Sequence, residues 1–346
     1  MALVMYWYDF VCFGIVAGAI LFAVWMLQRK EGGGKCDYDQ TMYESLLVAQ
    51  SDRDGGFEAE GLIVRRSGHL DSSQLWTTCW RGLHPVWLLS LRIFSAAVMV
   101  GLLCWDVRRY DSSIFLYYTE WTFTLVIVYF TLGTIISAYG WWTCFKKPEY
   151  EEGDHLQKRD LEENNKSATS ISLTTNQIRG TIKLQSHWEQ EETLQRAGFW
   201  GYLMQTIYQT SAGAVIITDI VFWFVIVPFL SIEHFTLNLL MGLMHTLNLV
   251  FLLLDTALNR LPFPWFRVAY LVLWSCLYVI FQWVLHASGF SWWPYPFLEL
   301  STPWAPVWYL CLAVIHIPCY GIYALIVKAK HAFFSKWFPN AYIRSY

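Results

Sequence analysis

The chain has 346 residues, 55% of them hydrophobic and 15% charged, with a formal net charge of −3. Soluble proteins average roughly 25% charged residues, so the deficit points to lipid as the solvent. Lys and Arg are scattered rather than massed, which leaves no electrostatic footprint for nucleic acid and excludes it as a partner.

The N-terminus, MALVMYWYDF, carries no basic residue ahead of its apolar run. A cleavable signal peptide needs a charged start, so the first segment reads as a retained membrane helix. Stretches long enough to span about 30 Å at about 1.5 Å per residue lie near residues 10–28, 85–105, 119–140, 211–230, 235–258, 264–286 and 304–327. The expectation is an all-α bundle of about seven transmembrane helices. Its parts are a first helix within 1–29, a cytosolic segment 30–84, helices two and three within 85–143, a cytosolic linker 144–198, helices four to seven within 199–328, and a tail 329–346. Residues 189–210 look amphipathic and predict a stretch lying along the interface before the fourth span.

Basic residues near the span ends set the orientation. Arg29, Lys30, Lys35 and Arg81 flank the first connection, Lys146, Lys147 and Arg196 the third, Arg260 the fifth, and Lys328, Lys330 and Lys336 the tail. The other side holds Arg108 and Arg109. This predicts an N-terminus outside and a C-terminus in the cytosol. The 144–198 segment is polar, charged and poor in large apolar residues, so it reads as disordered. Its Asn165-Lys166-Ser167 sequon stays unmodified in such a topology. Five of the eight cysteines lie in apolar runs and none shows metal-ligand spacing, so neither disulfides, metal nor another cofactor is expected.

Ionisable groups deep in a span pair, line a cavity or do chemistry. Asp219, His245, Asp255 and His316 stand out, with Arg92 nearer the cytosolic edge. Arg92 either snorkels or pairs with Asp255, which belongs to the same half. His245 lies near the middle of its span, in MGLMHTLNLVFLLLD. Asp255 is about 15 Å away along the helix, too far to orient the imidazole, so another helix must supply that contact. The third span offers Thr122, Thr124, Thr131 and Thr134. Threonines in such helices commonly donate to a carbonyl one turn back, and become nucleophiles only beside a base. Gly14 and Gly18 have a spacing that permits close helix contact. The aromatic turn SGFSWWPYPFLEL, 288–300, is an interface anchor or the rim of a lipid entrance.

MHTLNLVFLLLDTALNR followed by WVLHASGFSWWPYPFLEL resembles the androgen-induced protein family and the related rolling stone proteins, with His245, Asp255 and His286 in the matching places. The stretch WTTCWRGLHPVWLLSLR, 76–92, looks most like plant members of the rolling stone side. The androgen-induced resemblance implies an intramembrane threonine hydrolase of fatty acid esters of hydroxy fatty acids. His245 would then be the base and Thr124, in Phe123-Thr124-Leu125, the nucleophile, with Thr122 second. Asn248, Asn238 or backbone amides would hold the oxyanion. Membrane lipids and a lipid ester are the partners so implied. The rolling stone side implies instead a non-catalytic organiser of cell contact, fusion or trafficking. A carrier relaying protons through Asp219, His245 and His316 is the third reading.

Overall fold

A computed structural model describes residues 6–31, 70–146, 197–230 and 239–344. Most of the 30–84 and 144–198 segments, the Asn165 sequon and Asn238 lie outside the described residues. Among those described, seven helices are long and apolar enough to cross a membrane. They are α1 (Trp7–Glu31), α2 (Val86–Tyr110), α3 (Tyr118–Lys146), α4 (Phe199–Val221), α5 (Leu239–Leu258), α6 (Val268–Ala287) and α7 (Ala305–Trp337). The chain is a multipass membrane protein of the all-α class.

Helix α4 is the hub, packing against α3, α5, α6 and α7. Lipid tails are as apolar as leucine, so helices associate where small residues let their backbones close in. Ser211-Ala212-Gly213-Ala214 supplies such a stretch and is buried throughout. A Cβ on Gly213 would stand 2.5 Å from Leu271 Cδ2 of α6 and 3.2 Å from Tyr320 Cδ2 of α7.

The part of the amphipathic stretch that is described, from Phe199 onward, is continuous with this hub and does not lie along the interface. Its polar face turns inward, onto a polar interior. Gln205 and Gln209 both donate to the Pro262 carbonyl, at 3.1 and 2.7 Å. Arg267 donates to the Gln205 side-chain carbonyl at 2.7 Å, and the hydroxyls of Tyr208 and Thr256 meet at 2.7 Å. A backbone and side-chain set satisfied from within needs no headgroups.

Beside it lies the pairing anticipated for Arg92. Its Nε is 2.9 Å from Asp255 Oδ1, with both side chains at 0% exposure. Arg92 also donates to Ser137 Oγ at 2.6 Å and the Leu75 carbonyl at 2.8 Å, while Asp255 Oδ2 accepts from Tyr129 and Asn259. This knot joins α2, α3 and α5 at the end of the bundle where α1 and α5 finish.

That end is capped by protein. Cys79 N–H donates to the Leu258 carbonyl, Arg81 N–H to Ala341, and Ile343 N–H to Cys79. The Trp80 ring sits among Phe334, Phe338 and Tyr342. Helix α7 therefore runs to Trp337, ten residues past the apolar run, because Phe334 packs on Trp80 and the Lys330 ammonium donates to the Asn259 carbonyl at 2.7 Å.

Helix α1 leans on α6 and α7 through Cys12, Val16 and Ala23. Gly14 and Gly18 occupy its other face, exposed and with nothing within 4 Å of an added Cβ. Their spacing makes no contact inside the described bundle.

Candidate functional site

The functional groups gather in the other half of the bundle, where α1 starts. Helix α4 widens there into a π-helical turn, Phe222–Ile226. Single π turns re-aim side chains and recur at functional sites. Here the turn lays Phe222 flat against His245 of α5, with ring centroids 3.7 Å apart and planes 9° from parallel. One turn earlier, Asp219 Oδ1 lies 3.3 Å from His245 Nδ1, and Asn248 also reaches the Asp219 carboxylate. The partner that His245 requires from another helix is thus Asp219, while Asp255 is committed to Arg92.

A second imidazole lies on α7. His316 Nδ1 is 2.6 Å from the Leu312 carbonyl and its Nε2 is 2.6 Å from Ser275 Oγ on α6. The Tyr118 hydroxyl, at the start of α3, lies 2.7 Å from the same Oγ. Thr122, one turn on and buried, borders Tyr118.

Tyr118, Ser275 and His316 share the wall of a cavity bounding about 620 Å³, counting the part open at its mouth. Phe222 is also in that wall and stacks on His245, which does not itself line the cavity. Its other lining residues include Thr119 of α3, Ile217, Thr218 and Val221 of α4, Tyr278 and Val279 of α6 and Leu312 of α7. Among the described residues, no Asp, Glu, Lys or Arg lines it. The aromatic turn after α6 contributes Tyr295, Phe297 and Leu298 to the wall. Tyr295 is pinned by an edge contact to Tyr117, and burial pushes its phenol up to about 12.

Thr124 and His245 do not meet through a hydrogen bond. The Thr124 hydroxyl is buried with no hydrogen-bond partner among the described residues, and neither residue lines this cavity. Ser275 and Tyr118 escaped the sequence reading. A lone serine in VLWSCLYVI looks like any tolerated hydroxyl, and only the packing of α6 on α7 discloses the histidine opposite it.

The chain matches no known protein family, no curated protein and no solved structure.

Proposed function

We propose that this protein is an intramembrane hydrolase of lipid esters, with a fatty acid ester of a hydroxy fatty acid, or a similar long-chain ester, as substrate. The observation that carries the reading is the character of the cavity. Among the described residues its walls are mostly apolar, its polar groups are hydroxyls and an imidazole, and none carries a fixed charge. Apolar walls with a few convergent polar groups suit a ligand that is mostly hydrocarbon with one neutral polar junction. A hydroxyl and an imidazole at hydrogen-bond distance are the groups acyl transfer needs. The resemblance of MHTLNLVFLLLD and YPFLE to the androgen-induced family supports the same substrate class.

The carrier reading fares worse on the same geometry. A relay through Asp219, His245 and His316 needs a connected polar path, whereas neither Asp219 nor His245 lines the cavity that His316 faces, and His245 stacks on the apolar ring of Phe222.

The orientation belongs to this proposal too. Arg267 Nε lies 3.3 Å from Glu31 at the end of α1, and Cys79 meets Leu258 at the end of α5. Arg29, Lys30, Arg81, Arg260 and Lys336 therefore share one end of the bundle. Basic residues gather on the cytosolic side, which puts the cavity in the half facing away from the cytosol.

The test is hydrolysis by protein purified in detergent and returned to vesicles, read as free fatty acid released from an ester of a hydroxy fatty acid. Wild type is expected to turn over, and Ile217→Trp, which fills the cavity, to stop while keeping its melting temperature. Absence of release by wild type from any long-chain ester offered would sink the reading.

A further inference from the structure

The spans carry many hydroxyls, and several are spent on their own helix. Thr134 donates to Phe130, Thr210 to Thr206, Thr218 to Val215 and Thr256 to Leu252. Such back-bonding satisfies a hydroxyl in a dry helix at little cost. Ser275 does otherwise. Its Oγ reaches across to α7 and α3 instead.

The direction of every proton in that contact follows from valence. The Leu312 carbonyl only accepts, so His316 Nδ1 carries the hydrogen that occupies the 2.6 Å contact. In the neutral ring Nε2 is then bare and accepts the Ser275 hydroxyl proton at 2.6 Å. A Ser275 Oγ that donates to Nε2 keeps a lone pair for the Tyr118 hydroxyl at 2.7 Å. The result is a directed chain, Tyr118 to Ser275 to His316 to Leu312. It opens on the cavity through its first three members.

We propose that Ser275 is the nucleophile and His316 the general base of this cavity, with long-chain acyl esters as the substrate class. The assignment rests on the hydrolase reading above and replaces the Thr124–His245 pairing as the reacting pair. The Ser275 Oγ bonds to the ester carbonyl carbon as its proton passes to His316 Nε2. The C=O π electrons move onto oxygen, where the Tyr118 hydroxyl, released from Oγ, is within reach as a donor. Collapse breaks the bond to the alcohol oxygen, which leaves with the proton held on Nε2. The acyl group remains on Ser275 until water, deprotonated by the same Nε2, attacks the acyl carbon. The fatty acid departs and Ser275 regains its proton. The Leu312 carbonyl holds the imidazole in the required tautomer throughout, the part that a carboxylate plays in a triad. Asp219–His245, whose imidazole stacks on the cavity-lining Phe222, is left with positioning the cavity wall.

The experiment is covalent trapping of full-length protein in detergent with a long-chain fluorophosphonate, followed by peptide mass spectrometry. An adduct on Ser275, with labelling and ester turnover both lowered at least about 100-fold in Ser275→Ala and His316→Gln, is the expected result. Tyr118→Phe is expected to lower kcat by about 100-fold with little change in KM. Each variant's melting temperature accompanies these readings, and the adduct site in wild type needs no variant at all. An adduct on Thr122, Thr124 or any other residue overturns the assignment while leaving the hydrolase reading in place. Failure to label together with failure to hydrolyse overturns both.

Discussion

Arg92 and Asp255 come from helices far apart in sequence and end up sealed from solvent on all sides. A buried pair of this kind is a weak source of net stability, because desolvation consumes much of the attraction. Removing one member is a different matter, since it strands the other charge. Arg92→Met is expected to cost roughly 3–5 kcal/mol and Asp255→Leu a similar amount, with the double variant recovering much of the loss. Thermal unfolding in detergent, followed by tryptophan fluorescence, checks this; a double variant no better than the singles would show that the pair is not one energetic unit. Arg92–Asp255 was open to sequence reasoning because two opposite charges in one half of a membrane have few other places to go. The Asp219–His245 contact was only half legible. The demand for a partner follows from burial, but its identity depends on which helix face turns which way, and the π turn at Phe222 shifts that register where periodicity cannot report it. Ser275–His316 was less legible still, one member being a single hydroxyl in an apolar run.

The spans themselves were read correctly because hydropathy measures the property that lipid selects, and it measures it without reference to neighbours. Their ends were not. Helix α4 starts at Phe199 and α7 runs on to Trp337, in both cases where polar residues are satisfied by protein. A transfer scale charges Gln205, Gln209 and Lys330 as though each stood alone in hydrocarbon. Glycine exposes the same limit. Gly140 lies under the Trp76 ring, which an added Cβ would approach to 2.4 Å, whereas Gly14 and Gly18 face open space. Gly140→Ala is therefore expected to cost about 1–3 kcal/mol through overpacking. Gly14→Ala and Gly18→Ala should each leave stability unchanged or raise it by up to about 1 kcal/mol through helix propensity. Melting temperatures of the three variants in one detergent discriminate, and equal losses at all three sites would mean that α1 uses its glycine face in a contact outside the described bundle.

At the scale of the molecule, stability is distributed between two dissimilar halves. One is knotted by buried charge and hydrogen bonds, the other is held by aromatic packing around a cavity. Cys79 reports on the knotted end. It is 1% exposed, burial pushes its thiol up, and the nearby Lys330 ammonium only partly offsets that. A thiol with a raised folded value favours the native state at low pH and loses that advantage as pH climbs past the ordinary thiol range. Maleimide should accordingly label Cys79 slowly at pH 7 in the full chain. Truncation after Trp337 removes Phe338 and Tyr342 from around Trp80 and should speed labelling at least about tenfold. An unchanged rate would show that the C-terminal residues do not close this end.

The same closure bears on connectivity. Residues 79–81 are tied by backbone hydrogen bonds to residues 341–343, so the six helices from α2 to α7 form a loop of chain whose two ends are already clasped. In that respect they are a ring lacking one covalent bond, and the order in which the ribosome threads them is incidental to how they are held. Helix α1 stands outside the ring as an outrigger, propped against α6 and α7 by a single face.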